Sequence, residues 1–360
     1  MIGSLNIGGA QVMIMDLYRR IDRKQIQFDF VVDHVSQLYF GDEVKRLGGQ
    51  IYFLPNFSGY NIATVIKSWN TFFDVHPEYK ILHSHVRSYA SIYIPIAKKH
   101  GVTTIIHSHS TSNGKGLSAM IKKILQYPLR YQADYFMGCS RSAGKWLFGD
   151  KVASSKRFFV LPNAIDVSKY CYNAATRNEV RKELNIGNEI VYGHVGRFHE
   201  AKNHLFLLEV FACIKKIQPG SKLVLVGDGQ LKNVIKYRIA TLGIADSVIM
   251  TGERSDVFRL LQAFDCFLFP SKWEGLPVTV VEAQAAGVPC FLSDSITSEV
   301  NLSNLVHCLQ LNKGATAWAN EICKCSLSRQ DVENSIIRAG FDINKTTKWI
   351  NDFYMRLANE

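Results

Sequence analysis

No apolar run in this chain approaches the roughly 20 residues that a membrane-spanning helix needs; the longest candidates are 92–97 and 278–286. The first residues, MIGSLNIGGAQVMIMDLYRR, lack the basic start and following apolar run of a signal peptide. Neither a low-complexity segment nor a short repeat is visible, which argues against a fibre or a largely disordered chain. The eight cysteines are scattered, mostly in apolar stretches such as DCFLFP and VPCFLSD. A disulfide scaffold is therefore excluded, and Cys323-Lys324-Cys325 has no second pair to build a thiolate metal site. The expectation is a reduced, cytosolic chain. Acidic residues are scarce in the first half. Residues 1–165 hold 20 Lys and Arg against 10 Asp and Glu, a net +10, while 166–360 hold 22 against 21, a net +1. Nearly all of the overall +11 thus sits in the N-terminal half. Such an excess suggests a polyanionic partner, but no recognition helix, finger or aromatic-basic sheet motif favours nucleic acid. A phosphate-bearing substrate or an anionic membrane surface fits better.

What is present is a globular composition, 47% apolar and 20% charged, over 360 residues, enough for two domains. Short β-rich runs at 28–33, 51–54, 81–85, 104–107, 134–139 and 158–161 alternate with helical patterns at 10–21, 61–73, 89–100, 116–131 and 141–148. The second half repeats the theme. Strands are expected at 190–195, 222–226, 248–251, 266–269 and 289–292, with helices at 204–217, 231–242, 255–263 and 278–286. Strands this apolar, separated by helices, imply an α/β protein with parallel sheets covered on both faces. The rhythm breaks at 162–188, where a short helix at 177–184 is expected, and this marks the domain boundary. Two doubly wound domains would then face each other across a cleft, with ligands at the carboxyl ends of the strands.

Five constellations stand out. In 271–294, SKWEGLPVTVVEAQAAGVPCFLSD, Glu274 lies in a loop, Gly275, Leu276 and Pro277 open a helix, and Glu282 sits two turns along it. A carboxylate within VVEAQAAGV needs a partner, and free N–H groups at the helix start suit a phosphate or hydroxyl-rich ligand. In VGRFHEAKN, a strand runs through Gly196 into Arg197 and Lys202 before a helix for which Asn203 would serve as N-cap. A guanidinium fork and an ammonium there suit a diphosphate, though solvated surface charges are an equal reading. Asn6-Ile7-Gly8-Gly9 is a Gly-Gly turn at a helix start, where backbone amides can approach a phosphate. Two triplets, His83-Ser84-His85 and His107-Ser108-His109, each put both imidazoles on one strand face. They allow a metal site, but without a carboxylate at diagnostic spacing, packing histidines are the simpler reading. No Asp-x-Asp occurs, so the carboxylate pair often used to hold a metal-bound nucleotide diphosphate is missing. Finally, 115–131, KGLSAMIKKILQYPLRY, combines an apolar stripe (Leu117, Met120, Ile121, Ile124, Leu125) with Lys115, Lys122, Lys123 and Arg130. It would either dock on an anionic membrane or pack its stripe on the sheet.

Taken together, GSLNIGGAQ, HSHSTSNG, LPNAID, VGRFHEAKN, LVGDG, MTGERSDV and the Glu274-x7-Glu282 segment resemble the retaining glycosyltransferases of family 4, which have the GT-B fold. The resemblance covers nearly the whole chain and is similar to that of bacterial capsular and exopolysaccharide enzymes. It implies an N-terminal acceptor-binding Rossmann-like domain (1–165), a C-terminal nucleotide-sugar-binding Rossmann-like domain (166–343) and a C-terminal helix (344–360) returning to the first domain. By resemblance, Arg197 and Lys202 bind the donor diphosphate and Gly9 faces it from the other domain. Glu282 holds the ribose hydroxyls. Glu274 contacts the donor sugar, assisted by amides near Gly275 and Leu276. His109 lies near the reacting sugar carbon, and the base rests near Gly252, Glu253 and Arg254. The family works without a metal or other cofactor. The implied partners are a UDP- or GDP-sugar donor and a lipid-linked saccharide acceptor at the inner face of the membrane. Two departures stand out: Gln11 replaces a common acidic residue, and only Met1 and Ile2 precede Gly3, so the first strand is expected to be almost absent. A nucleotide-sugar epimerase on the same fold, a metallohydrolase using the His-Ser-His triplets and a non-catalytic binder are the competing readings.

Overall fold

The computed structural model describes residues 1–6, 8–34, 38–111 and 116–359. They form two compact units, one of Met1–Ala164 with Ile343–Glu360 and one of Ile165–Asp342. Each crossing lies one residue from the boundary expected at 165/166 or 343/344.

The first unit carries β1 (Phe30–Val32), β2 (Ile51–Phe53), β3 (Ile81–Ser84), β4 (Thr103–Ser108), β5 (Tyr135–Gly138) and β6 (Phe158–Val160). The pairs β1–β2 and β3–β4–β5–β6 are parallel throughout. Residues 1–3 run between these two sheets. The Ile2 N–H donates to the Val31 carbonyl (2.9 Å) and the Asp33 N–H to the Gly3 carbonyl (3.3 Å). On the other side the Met1 amino group donates to the His83 carbonyl (2.8 Å), and the His85 N–H donates to the Met1 carbonyl (2.9 Å). Three residues thus hold the place of an interior strand and bond to both neighbours.

Alternation along β4 and β5 divides the core. Ile106 and Phe136 point to a cluster with Trp69, Phe73, Tyr93 and Phe148, where the Trp69 and Tyr93 rings stack at 4.5 Å. Ile105 and Met137 point the other way, to Met15, Tyr18 and Val32. The Ile343–Asn359 helix covers that second face with Ile343, Ile350, Phe353, Tyr354 and Leu357, a stripe at helical spacing.

The second unit carries β7 (Val191–Val195), β8 (Lys222–Val226), β9 (Val248–Gly252), β10 (Cys266–Phe269), β11 (Cys290–Ser293) and β12 (Val306–Leu309). Their order is β12-β11-β10-β7-β8-β9, all parallel. The order reverses between β7 and β10, the position where such sheets open a crevice at their carboxyl edge. Strand β12 escapes the sequence reading because it is a four-residue, half-exposed edge strand. Helices at Gly41–Arg46, Gly314–Lys324 and Glu333–Arg338 also go unread. All eight cysteines are free thiols. Among the described residues no helix is long and apolar enough to cross a membrane.

Central strand β7 accepts a ring that only glycine permits. A Cβ on Gly193 would lie 2.0 Å from the ring of Phe264, which is fully buried. Gly193→Ala should therefore destabilise the second unit by about 1–3 kcal/mol, read from its urea transition. Gly220→Ala, with no atom within 4 Å of the added methyl, should shift stability by less than about 0.5 kcal/mol. Equal midpoints for the two variants would contradict this packing.

Candidate active site

The carboxyl edge of the second unit is a set of loops bonded backbone to backbone. The Gly196 N–H donates to the Val226 carbonyl (2.9 Å), the Phe198 N–H to the Asp228 carbonyl (2.8 Å) and the Gly227 N–H to the Gly252 carbonyl (2.8 Å). The Lys272 N–H reaches the Ala201 carbonyl at 2.8 Å. Glycine makes this closeness possible. Gly227 has φ +134°, and a Cβ there would lie 2.2 Å from the Gly196 carbonyl oxygen. At Gly229 a Cβ would lie 2.7 Å from the Phe198 carbonyl oxygen. The glycines of LVGDG thus serve the neighbouring VGRFHEAKN loop.

That loop brings the two basic candidates to the edge. Arg197 is exposed. Lys202 is sheltered: its Nζ lies 2.8 Å from Glu274 Oε1 and 4.6 Å from the centre of the Phe269 ring. Both partners of the ion pair keep less than a fifth of their side-chain surface, so water screens it little. Asn203 holds the N-cap position of the His204–Ile217 helix as expected, but its side chain makes no capping bond. It takes a left-handed conformation (φ +56°), and its Nδ2 donates to the Pro270 carbonyl at 3.2 Å, tying this loop to the end of β10. Glu274, Gly275 and Leu276 lead into the Val278–Ala285 helix, with Leu276 buried. Glu282, on its second turn, is half-buried and accepts a hydrogen bond from the Tyr170 hydroxyl at 2.7 Å. The sequence reading demanded a partner for Glu282 but missed Tyr170. Its signal is faint: Tyr170 follows LPNAID on a single turn, Val167–Tyr170, with no periodicity.

The remaining candidates spread along the same edge. Gly252, at φ +74°, ends β9, and Glu253 beside it is exposed. Arg254 is held by carboxylates: Nε lies 2.7 Å from Asp256 and Nη2 lies 2.9 Å from Glu183. These bonds raise the Arg254 pKa and push that of Asp256 down to about 2. Lys202 and Glu274 are thus brought into contact, Arg197 shares the Lys202 loop, and Glu282 and Arg254 are engaged by residues of their own.

Gly9 and His109 belong to the first unit. Gly9 opens the Gly9–Arg20 helix; among the described residues no side chain caps its start, and no atom beyond its own helix and chain neighbours lies within 4 Å of a methyl built on it. The adjoining Ile7 of the Gly-Gly turn lies outside the described residues, as do Ser112, Asn113 and Gly114 of HSHSTSNG. His109 Nε2 lies 2.8 Å from His85 Nδ1. Burial and the Arg87 guanidinium push its pKa down to about 4, so the ring is neutral at physiological pH. Burial also drives His83, His85 and His107 well below the usual imidazole range. The four rings form one cluster, with His83 stacked on His85 at 4.4 Å and His107 tilted against His109 at 4.0 Å. Nitrogens of His83, His85 and His107 lie within 4.8 Å of one another, the one group among the described residues able to hold a metal. His83 Nδ1 is 2.5 Å from the Tyr354 hydroxyl, and no carboxylate joins the cluster.

Two Rossmann-like units of parallel sheet, one with an ammonium–carboxylate pair and a guanidinium at its carboxyl edge, are the arrangement expected of a GT-B glycosyltransferase. The comparisons agree. Residues 7–169 match the family model Glycosyltransferase Family 4, and residues 176–313 match Glycosyl transferases group 1. The putative glycosyltransferase EpsF of Bacillus subtilis is 30% identical over 363 residues, 98% of this chain and 94% of that protein. The Escherichia coli UDP-Gal:alpha-D-GlcNAc-diphosphoundecaprenol alpha-1,3-galactosyltransferase is 25% identical over 98% of this chain and 95% of its own length. CapH, a capsular polysaccharide biosynthesis glycosyltransferase of Staphylococcus aureus, is 25% identical over 98% and 96%. Among solved structures, Anabaena HepE in complex with UDP superposes with a TM-score of 0.79 at 17% identity, covering 99% of this chain and 98% of that one. The chain belongs to glycosyltransferase family 4.

The histidine stack generates a pH prediction. A folded pKa below the ordinary 6.5 means that the unfolded chain binds more protons as the solution acidifies. The stability contributed by neutral burial is complete above about pH 6.5 and falls toward pH 4, by up to ~1.4 kcal/mol per pH unit for each such histidine. The melting temperature should drop across that window, and His109→Asn should flatten the drop. A melting temperature constant from pH 7 to 4.5 would contradict the burial of these rings.

Proposed function

We propose that this glycosyltransferase moves a sugar, with retention of anomeric configuration, from a UDP- or GDP-sugar to a lipid-linked saccharide acceptor in cell-surface polysaccharide synthesis, at the inner face of the cytoplasmic membrane. The observation that carries the proposal is the sheltered Lys202–Glu274 pair beside Arg197 at the carboxyl edge of the six-stranded sheet. An arriving diphosphate competes with Glu274 for the Lys202 ammonium. Once the phosphate holds Lys202, Glu274 is released to accept hydrogen bonds from sugar hydroxyls. Glu282, oriented by Tyr170, accepts from the ribose hydroxyls. The base rests beside Gly252, Glu253 and Arg254, and the amides at Gly275 and Leu276 assist at the sugar. Gly9 and His109 are carried by the first unit, and their roles toward the diphosphate and the sugar are part of the proposal.

In the reaction the bond from the anomeric carbon to the phosphate oxygen breaks, and negative charge grows on the diphosphate. Arg197 and Lys202 stabilise that charge in place of a metal. The acceptor hydroxyl forms its bond on the face the phosphate leaves, and the departing phosphate oxygen takes the hydroxyl proton. Atoms and charge then balance without a base from the chain, in keeping with a neutral His109 whose lowered pKa makes it a weak base that can still hydrogen-bond a hydroxyl. UDP in the HepE structure and the diphosphoundecaprenol acceptor in the Escherichia coli relative's name support the choice of donor and acceptor class.

Transfer of radiolabelled sugar from a panel of UDP- and GDP-sugars to a bacterial lipid extract tests the proposal. Arg197→Ala and Glu282→Ala should each lower transfer by roughly 100-fold or more, the scale of lost transition-state charge contacts. Chelator should leave transfer unchanged. Full activity in both variants would overturn the site assignment, and dependence on an added divalent ion would overturn the metal-free diphosphate chemistry.

A further inference from the structure

His194 is the fourth residue of β7 and is fully buried. Its ring stacks on that of Phe269 at 5.5 Å, the same ring that Lys202 Nζ overlies at 4.6 Å. Its Nδ1 lies 2.8 Å from the Leu268 carbonyl oxygen. A carbonyl only accepts, and burial holds this imidazole neutral, so Nδ1 carries the proton and Nε2 keeps a lone pair. That lone pair is sealed from water and has no hydrogen-bond partner among the described residues. The His204 ring stands edge-on to His194 at 4.8 Å and makes no hydrogen bond either. A buried acceptor left without a donor costs of order 1–3 kcal/mol, so its retention in the core calls for a reason.

The lone pair borders Lys202. The spot that a Cβ on Gly196 would occupy lies 3.2 Å from His194 Nε2, 3.1 Å from Lys202 Cε and 3.3 Å from Lys202 Cδ. Acceptor and lysine stem thus flank one small space, which glycine leaves open. An ammonium has three N–H donors; Glu274 takes one, and the Phe269 ring covers another side.

We propose that His194 is a positioning residue for the diphosphate site: when a diphosphate draws Lys202 from Glu274, the ammonium gives one of its hydrogens to His194 Nε2 and turns the others to the phosphate. The move needs only rotation at the end of the lysine stem, whose last carbons already border that space. A neutral acceptor suits the task, because a second carboxylate there would repel the arriving phosphate. The Leu268 bond fixes the ring and its tautomer, so the acceptor is in place before the nucleotide arrives. This deepens the functional reading above and rests on it, since Lys202 is there the diphosphate ligand.

Titration of UDP and of GDP in excess chelator tests the role, using the wild type, His194→Phe, His194→Leu, His194→Gln, Lys202→Met and Lys202→Met combined with each apolar variant. His194→Phe and His194→Leu, which lack the lone pair, should each lose roughly tenfold in affinity, and His194→Gln, which keeps an acceptor oxygen, should recover most of it. In the Lys202→Met background the apolar variants should cost less than about twofold more, because the ammonium they serve is gone. In the wild type itself, the 15N resonance of His194 Nε2 should shift on saturation with nucleotide as the lone pair gains a donor; this readout needs no variant to fold. An unmoved resonance overturns the positioning role. So do apolar variants that bind like the wild type, or losses that simply add to that of Lys202→Met. A wild type that binds neither nucleotide, or Lys202→Met binding as the wild type does, overturns the functional reading and the positioning role with it.

Discussion

Gly227 comes so close to Gly196 that a Cβ would sit 2.2 Å from the Gly196 carbonyl oxygen. This backbone approach helps set the geometry of the loop that carries Arg197 and Lys202. It fixes the loop after β7 against the loop after β8, and the loop after β7 carries Arg197 and Lys202. The Lys272–Ala201 bond then fixes that loop to the segment after β10, which carries Glu274. The ion pair between Lys202 and Glu274 is thus pre-organised by main-chain bonds on either side rather than by the flexible side chains themselves. Under the proposed function, a diphosphate entering there would meet a Lys202 that is already placed, and the ordering cost would fall on folding.

Both units shelter imidazoles that burial keeps neutral, His194 and His204 in the second unit among them. The second unit adds sheltered charge pairs: Lys202 with Glu274, Arg177 and Arg181 with Asp265, Arg254 with Asp256 and Glu183. In the first unit the sheltered groups beside the sheet are imidazoles kept neutral by burial, stacked on one another and bonded to Tyr354. Under the proposed function a diphosphate needs fixed positive charge, which Arg197 and Lys202 of the second unit would supply. Neutral imidazoles suit hydroxyl recognition and keep the strand ends uncharged despite the basic surroundings.

Much of this was legible in the residues. Parallel strands show as apolar runs because helices cover both faces, so nearly all of β1–β11 could be placed from the pattern. The need of Glu282 for a partner followed from its apolar neighbours. What escaped were features set by distant sequence. Tyr170 reaches Glu282 across 112 positions, and Phe264 fills the space that Gly193 leaves. Asn203 takes the N-cap position that its type suggests, yet its side chain bonds to Pro270 because the loop turns left-handed there. Edge strand β12 lacks the two-sided burial that makes a strand visible. The stripe of the Leu117–Gln126 helix faces out, with Leu117, Met120, Ile121 and Ile124 exposed, while Lys115 lies outside the described residues. That direction was undetermined in the sequence, since periodicity reports amphipathicity and not which side the fold covers.

Central to the account is that Lys202 exchanges Glu274 for a nucleotide diphosphate without the help of a metal. Calorimetric titration of UDP into the wild type and Lys202→Met, both in excess chelator, tests it most directly. The account predicts saturable binding to the wild type, weakened by added salt, and a loss of roughly tenfold or more in affinity for Lys202→Met. Equal affinity in the two proteins, or binding that appears only when a divalent ion is restored, would contradict it.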